Sequence, residues 1–272
     1  LGQEIDRCRS MTDQPFAVNV TMLRTVTPPP YAEIFDTIIR HGVRVVETAG
    51  NVPAEVLENL IGAGLVVIHK CTSVRHALAA ERRGVHIVSI DGFECAGHPG
   101  EDDIPGLILI PAAADQVKIP MLASGGFGDG RGLAAALALG AEGINMGTRF
   151  CATVEAPIHP NVKQAYVDND ERGTFLIFRS FKNTARVGKS AVSEEVVRRL
   201  SVPGAKFSDV QELVAGTAGR ELLKTGDLSK GVFWASMVQG LIHDIPTCQV
   251  LIDRIIAEAE EIIRGRLASL IV

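Results

Sequence analysis

The sequence has few aromatic residues, no cluster of basic residues and no long apolar run. Phenylalanine, tyrosine and tryptophan make up 5% of its 272 residues, and Trp234 is the single tryptophan. No apolar stretch reaches the roughly 20 residues of a membrane-spanning helix, and no signal-peptide pattern opens the chain. The formal net charge is −5, with lysine and arginine scattered along the chain. We therefore expect neither a nucleic-acid nor a membrane partner.

The cysteines also exclude some classes of protein. They are odd in number and form no Cys-x-x-Cys pair: Cys8, Cys71, Cys95, Cys151 and Cys248. This pattern favours a reducing, cytoplasmic compartment over a disulfide framework. The acidic run 101–103 has no histidine or cysteine beside it at ligand spacing. We expect it to be a solvated rim, and we expect no metal site.

Short apolar runs that end in small or polar residues recur through the first half of the chain. They occupy residues 16–21, 44–49, 66–71, 86–92, 120–124 and 143–147. Amphipathic stretches with helical spacing lie between them, at 30–40, 53–61, 72–83 and 132–140. Because strand and helix alternate, the sequence predicts an α/β fold with a parallel sheet.

The last two runs each end in a glycine corner, which suggests a (β/α)₈ (TIM) barrel. In that fold the loops after strands seven and eight form the usual phosphate site. Counting back from the second corner gives six strands, numbered three to eight, where a closed barrel needs eight. We infer that about two N-terminal βα units are absent from this sequence. The alternative, an open six-stranded sheet, would expose two long edges.

The pattern changes after Phe150, where strand signals become few. Helices are predicted at 160–167, 193–200, 208–223, 231–242 and 247–271. The last of these has an apolar stripe of helical period, which suits a helix that packs back on the barrel. We therefore predict a barrel domain over residues 1–155 and a mostly helical subdomain over residues 156–272.

The glycine corners themselves are candidate phosphate-binding turns. Ser124 and Thr148 offer hydroxyl groups, and Gly125, Gly126 and Gly147 offer backbone N–H groups to an anion. The alternative is that both corners are tight strand–helix turns without a ligand. Asp129 fits equally well as the N-cap of the helix that follows.

His98 is the candidate catalytic residue. It lies in a long polar loop, 91–103, which follows a strand at the end of the barrel where active sites form. A histidine there can titrate near neutral pH and remove a proton from carbon. The alternative is a histidine that only orders its own loop.

Lys70 ends an apolar strand, where burial of its charge is costly without an anionic partner. It could neutralise a phosphate or an electron-rich ring, form a Schiff base, or simply extend its amine to solvent. Its neighbour His69 should face the helices instead. Trp234 and Met237 fall in a predicted helix outside the barrel, where we expect packing, or else the wall of a substrate cleft.

Taken together, the strand ends resemble the nitronate monooxygenase family, FMN-dependent barrels formerly called 2-nitropropane dioxygenases. The resemblance rests on five motifs: Pro-Phe-Ala-Val-Asn at 15–19, Val-Ile-His-Lys-Cys at 67–71, Asp-Gly-Phe-Glu-Cys-Ala-Gly-His-Pro-Gly at 91–100, Ala-Ser-Gly-Gly-Phe at 123–127 and Asn-Met-Gly-Thr-Arg-Phe at 145–150. It runs from about residue 1 to beyond residue 240.

The resemblance implies a role for each matching position. His98 matches the catalytic histidine, and Lys70 matches a lysine beside the flavin that stabilises the reduced ring. Ala96 and Gly97 match backbone positions against the isoalloxazine ring. The FMN phosphate would be bound by Ser124, Gly125, Gly126, Gly147 and Thr148, while Asn19 and Thr21 would lie under the flavin.

Two departures from the family pattern leave alternatives open. The family's first strand, whose loop also contacts the flavin, has no counterpart here. In addition, residues 96–100 read Ala-Gly-His-Pro-Gly, a form similar to family relatives that act as NADH:quinone reductases, whereas many nitronate oxidisers have Gly-Gly-His-Arg-Gly.

Oxidation of a nitronate by O₂ is therefore the first hypothesis. NAD(P)H:quinone reduction on the same FMN barrel is the second, with NAD(P)H as co-substrate. A Schiff-base phosphosugar lyase using Lys70 is a more remote third, and a scaffold that binds only phosphate is the last. A homodimer is left open as the assembly.

Overall fold

Strand and helix alternate in the computed structural model, which describes residues 1–23 and 28–271. Six strands form one sheet in sequence order: β1 (Ala17–Met22), β2 (Val45–Gly50), β3 (Val66–Cys71), β4 (Ile87–Asp91), β5 (Met121–Ser124) and β6 (Gly143–Asn145). β1 to β4 pair in parallel, with Asn19 opposite Glu47 and Lys70 opposite Ser89. The predicted α/β class and parallel sheet are confirmed.

The helices of this half are α1 (Gly2–Met11), α2 (Tyr31–Arg40), α3 (Ala54–Gly62), α4 (Val74–Arg82), α5 (Gly106–Ala114), α6 (Gly130–Ala138) and α7 (Thr148–Cys151). α2 buries Phe35 and Ile38, as its apolar spacing predicts. Ser73 begins α4 by accepting a hydrogen bond from the His76 N–H, which satisfies one of the unpaired donors of the first turn. The predicted helices are therefore present, with ends shifted by a few residues.

The second half contains α8 (Pro160–Asp168), α9 (Ala191–Leu200), α10 (Gln211–Val214), α11 (Gly216–Thr225) and α12 (Cys248–Glu261). It also contains an antiparallel hairpin, β7 (Thr174–Ile177) and β8 (Ala185–Gly188), that the sequence did not predict. All four residues of β8 are buried, so its sequence lacks the alternation that identifies a half-exposed strand. The helix predicted over 231–242 is wrong, because only the 3₁₀ turn Met237–Leu241 is helical.

By its internal contacts the chain divides into two compact units. The first contains residues 1–90 and 112–122, and the second contains residues 91–111 and 123–272. In the second unit, Tyr166, Leu222 and Phe233 belong to one fully buried cluster, and α12 packs against α6. The domain boundary proposed at residue 155 stays a prediction. Over residues 1–23 and 28–271, no helix has both the length and the apolarity needed to cross a bilayer.

Candidate active site

His98 lies in the loop after β4, between two glycines in the left-handed region of backbone space. Gly97 has φ of +74° and Gly100 has φ of +84°, angles that residues with a Cβ seldom adopt. The ring is partly buried, and this burial lowers its pKa, although the carboxylate of Glu101 opposes the shift. His98 is therefore neutral at neutral pH, the form that can accept a proton.

The unpredicted hairpin holds this loop in place through Arg186. Arg186 in β8 and Gly97 exchange two backbone hydrogen bonds, of 3.1 Å and 2.6 Å. The Arg186 guanidinium donates to the Phe93 carbonyl and to Thr174 Oγ1, at 2.9 Å each, and lies 4.6 Å from the centre of the Phe93 ring. Since Arg186 is only 4% exposed, these bonds are shielded from water and fix the loop firmly.

Two carboxylates of the acidic run make further contacts with the hairpin region. Asp103 accepts two hydrogen bonds from Arg179, of 2.9 Å and 3.0 Å. Glu101 accepts bonds from the Thr184 N–H and hydroxyl, at 2.7 Å and 2.6 Å. The run is exposed, as predicted, but it is not merely a solvated rim, because two of its members fasten the loop 91–103 that carries His98.

The first glycine corner packs directly on the same loop. Gly125 and Gly126 both have positive φ, of +85° and +83°. A Cβ on Gly125 would lie 2.9 Å from both the Gly92 carbonyl oxygen and the Cys95 side chain. Packing against the loop that carries His98 therefore requires glycine at position 125 whether or not a ligand binds there.

Two of the first backbone N–H groups of helix α6, which follows this corner, already have partners within the protein. Asp129 accepts from the Gly132 N–H at 3.0 Å, and Glu258 accepts from the Gly130 N–H at 2.7 Å. Asp129 is thus the N-cap of α6, as the sequence suggested. The Gly130 and Gly132 N–H groups are therefore occupied by carboxylates of the protein and are not offered to an anion.

The second corner has open space beside its glycine. A Cβ on Gly147 would meet no atom within 4 Å, and its φ of −111° is open to any residue. Neither packing nor backbone strain accounts for glycine there. The neighbouring Thr148 hydroxyl is buried and accepts a hydrogen bond from the Ser236 N–H at 3.0 Å, which leaves its own proton to donate to a ligand.

Trp234 lies beside the candidate base instead of inside a packed helix, which corrects the prediction for this residue. Its ring centre is 6.0 Å from that of His98, and the two planes are tilted by 40°. The Trp234 side chain is 47% exposed. Three residues further on, the Met237 N–H donates to the Glu94 carbonyl at 3.1 Å.

In the first unit, the predicted residues Asn19, Thr21 and Lys70 join one polar network through Glu47. Asn19 donates to a Glu47 oxygen at 2.6 Å, and Thr21 donates to the Asn19 side-chain oxygen at 3.1 Å. The Lys70 ammonium lies 3.9 Å from the other Glu47 oxygen. The strand register, which places Glu47 opposite Asn19, brings these side chains together.

His69 faces away from this network, as the alternation of strand side chains predicts. Its Nδ1 lies 2.8 Å from the hydroxyl of Thr48, which is fully buried. Burial, followed by the nearby charge of Arg83, lowers the pKa of His69 to about 4. His69 is therefore a neutral structural histidine.

The second unit thus brings together the predicted residues Ala96, Gly97, His98, Ser124, Gly125, Gly126, Gly147 and Thr148. Arg186 and Trp234 are the participants whose place the sequence did not reveal. No local sequence pattern marks a single arginine in a short buried strand as part of a site. An isolated tryptophan in an aromatic-poor chain is a weak indication of one.

Two of the glycines predicted to contact the cofactor have open space beside them. Open space lies beside Gly147 and also beside Gly97, where a Cβ would meet nothing within 4 Å. The Gly97 N–H and carbonyl are already bonded to Arg186, so Gly97 could approach a flat ring only through its Cα. These residues are compatible with an FMN whose phosphate contacts the glycine corners.

Comparison with known proteins gives concordant likenesses. The sequence profile described as nitronate monooxygenase matches residues 1–258. A Rhodococcus jostii relative, (3aS,4S,5R,7aS)-5-hydroxy-7a-methyl-1-oxo-octahydro-1H-indene-4-carboxyl-CoA dehydrogenase, is 31% identical over 95% of this chain and 82% of its own.

Two solved structures are also similar over nearly the whole chain. FabK from Thermotoga maritima has a TM-score of 0.90 and 31% identity, covering 99% of this chain and 83% of its own. Nitroalkane oxidase from Streptomyces ansochromogenes has a TM-score of 0.79 and 28% identity, covering 97% of this chain and 85% of its own. These likenesses confirm the predicted TIM-barrel class.

Proposed function

The chain belongs to the nitronate monooxygenase family, and on that premise we propose that it is an FMN-dependent oxidoreductase that oxidises alkyl nitronates and nitroalkanes with O₂. Family membership supports an oxidoreductase that uses a flavin. The observation that carries the finer proposal is His98, a neutral imidazole held between two left-handed glycines.

The chemistry assigns a distinct task to each group of residues. His98 accepts the proton from the carbon that bears the nitro group, on its unprotonated ring nitrogen, and then orients the resulting anion. Gly147 and Thr148, with the turn at Gly125 and Gly126, hold the phosphate. When bound, FMN supplies the two-electron acceptor, which no side chain of this protein can replace.

Lys70 is assigned to the flavin by the family motif. Its charge would favour the reduced, anionic ring, and Glu47 would limit the movement of its amine through their 3.9 Å ion pair. A Schiff-base lyase that uses Lys70 is the more remote alternative. Borohydride trapping of a phosphosugar on Lys70 would support that alternative over the flavin.

The direct test is the absorption spectrum of the purified protein. It should show bound flavin, and anaerobic ethylnitronate should bleach the flavin band before O₂ restores it. A protein that is colourless and does not take up added FMN would overturn the proposal.

A second candidate, a reductase or dehydrogenase on the same barrel, is favoured by two observations. The Rhodococcus jostii relative is named as a carboxyl-CoA dehydrogenase, and residues 96–100 have the His-Pro-Gly form similar to quinone reductases. The same anaerobic experiment distinguishes the candidates. Rapid bleaching by NADH or NADPH, with none by ethylnitronate, would favour the second.

A further inference from the structure

Trp234 combines an exposed side chain with a firmly held backbone. It is 47% exposed, whereas its neighbours Phe233, Ala235 and Ser236 are between 0% and 5% exposed. A large aromatic side chain in such a segment is usually buried with it. The exposure of this ring therefore needs an explanation.

Hydrogen bonds on both sides fix the backbone from which the ring projects. The Trp234 carbonyl accepts from the Tyr166 hydroxyl at 2.9 Å, and the Ser236 N–H donates to the Thr148 hydroxyl at 3.0 Å. The Met237 N–H is bonded to Glu94 in the catalytic loop. Trp234 is thus tied to the second glycine corner and to the loop that carries His98.

The ring is placed to meet a substrate that His98 deprotonates. The centres of the two rings are 6.0 Å apart, with planes tilted by 40°, so the aromatic contact leaves part of the indole uncovered. Aromatic and apolar groups gain binding free energy by covering such a surface, with a preference for offset or edge-to-face geometry.

We propose that Trp234 is the specificity-determining residue of this site, binding a ring-shaped apolar group attached to the carbon that His98 deprotonates. This inference rests on the proposed function and names its substrate class. The preferred substrates are carbon acids that carry a phenyl or cycloalkyl group, in preference to short unbranched nitroalkanes.

The single tryptophan of the chain makes binding directly observable. In the flavin-loaded protein, phenylacetate and cyclohexylacetate serve as redox-inert carboxylate analogues of the nitronates, and acetate serves as the small analogue. We expect the two ring-bearing acids to change the tryptophan emission saturably, with acetate at least about tenfold weaker, a difference of about 1.4 kcal/mol. Equal binding of acetate and phenylacetate would overturn the proposal.

Substitution of the ring tests the assignment without relying on its emission. Measured by calorimetry, phenylacetate affinity should fall at least about tenfold in Trp234→Ala, and Trp234→Phe should recover most of it, because phenylalanine retains an aromatic face. The matched control is Phe207→Ala, which removes a 40% exposed aromatic ring that packs on Phe178, and this variant should bind like the original protein.

Kinetics give a second readout. The ratio of kcat/KM for phenylnitromethane to kcat/KM for nitroethane should fall about tenfold in Trp234→Ala, mainly through the KM of the ring substrate. Loss of both activities in the same proportion would contradict a role in specificity.

The binding experiment also separates the two proposals. If neither nitro compound is oxidised but phenylacetate affinity still falls in Trp234→Ala, the proposed reaction is wrong. The assignment of Trp234 as the residue that binds a ring-shaped apolar group then stands. If nitronates are oxidised and ring-bearing acids show no preference, only the assignment of Trp234 is wrong.

Discussion

Arg186 and Gly97 are joined by two backbone hydrogen bonds, of 3.1 Å and 2.6 Å, directly before the candidate base His98. The catalytic loop is thereby added to the edge of the β7–β8 hairpin as one further antiparallel bridge. The Arg186 side chain donates one more bond to the Phe93 carbonyl in the loop and another to Thr174 in β7. The position of the base thus depends on a residue almost 90 positions later in the chain.

Removing the Arg186 guanidinium should displace His98 and slow the proton-transfer step. Arg186→Met keeps much of the apolar stem but leaves the Phe93 carbonyl without its donor, at a cost of about 1–3 kcal/mol of unfolding free energy. We expect kcat for neutral nitroethane to fall at least about tenfold, since small displacements of a catalytic group are costly. Turnover of preformed ethylnitronate, which needs no proton removal, should fall less.

Arg172→Met is the matched control, because the Arg172 side chain is 78% exposed and pairs with Asp170 at the surface. Arg186→Lys should be intermediate, as it restores the charge without the two-pronged geometry. Equal losses on nitroethane and ethylnitronate would show that Arg186 supports the fold alone and does not position the base.

The sequence predicted most of the alternating half of the chain, because each strand there ends in a recognisable corner and each of the four predicted helices has an apolar face. It missed α5, which consists only of apolar residues and glycine and has no polar face. It located His98 and both glycine corners for the same reason, since barrel sites follow strand ends. It failed at the hairpin, whose strands have four residues each, too few to establish a period. Arg186 was missed along with its strand.

Trp234 shows a second limit of prediction from the sequence. Trp234 fell in a predicted helix where packing was expected, and its apolar neighbours Phe233 and Ala235 are indeed buried. The segment is held in a non-helical form by long-range hydrogen bonds, to Thr148 and to Glu94. Such partners are distant in sequence, so no local pattern could have revealed the exposed ring.

The two glycine corners should respond differently to alanine. At Gly147 a Cβ meets no protein atom within 4 Å, so Gly147→Ala should fold with nearly unchanged stability. If the FMN phosphate lies there, the methyl group will obstruct it, and the dissociation constant for FMN should rise at least about tenfold. Titration of the apoprotein, followed by quenching of flavin fluorescence, measures this constant.

Gly125→Ala is the contrasting variant, because its Cβ would clash with the Gly92 carbonyl at 2.9 Å and its φ is positive. It should lose several kcal/mol of stability or fail to fold, with or without FMN. An unchanged FMN affinity in Gly147→Ala would remove the second corner from the phosphate site.

His98 should set the acid limb of activity on neutral nitroalkanes. Because burial lowers its pKa, kcat/KM should rise with pH to a plateau whose midpoint lies below 6.5, the ordinary value for histidine. Glu101→Gln removes the charge that raises this pKa, so the midpoint should move to lower pH. His98→Asn should keep its flavin and lose about 10²–10⁴-fold of this activity.

The exposed His243 provides the control, and His243→Asn should keep the original pH profile. A midpoint that moves upward in Glu101→Gln, or an acid limb that survives in His98→Asn, would assign the titration to another group.

His69 should make the folded protein sensitive to acid independently of catalysis. Its pKa is about 4 in the folded state, whereas an unfolded histidine titrates near 6.5. Above pH 6.5 His69 is neutral in both the folded and the unfolded state, so it does not change the stability of the protein. As the pH falls from 6.5 towards 4, only the unfolded state takes up the proton, and stability is lost.

The lost free energy of unfolding amounts to about 3 kcal/mol once the pH is below 4. His69→Gln removes the titrating group while keeping a side chain that can hydrogen-bond to Thr48, so urea midpoints should fall less steeply between pH 6.5 and 4.5.

His243→Gln should retain the original slope, since that residue is exposed in the described structure. Part of the slope should remain in His69→Gln, because the lowered pKa of His98 acts in the same direction. Identical slopes for His69→Gln and the unsubstituted protein would mean that His69 protonates in the folded state, contrary to its buried contact with Thr48.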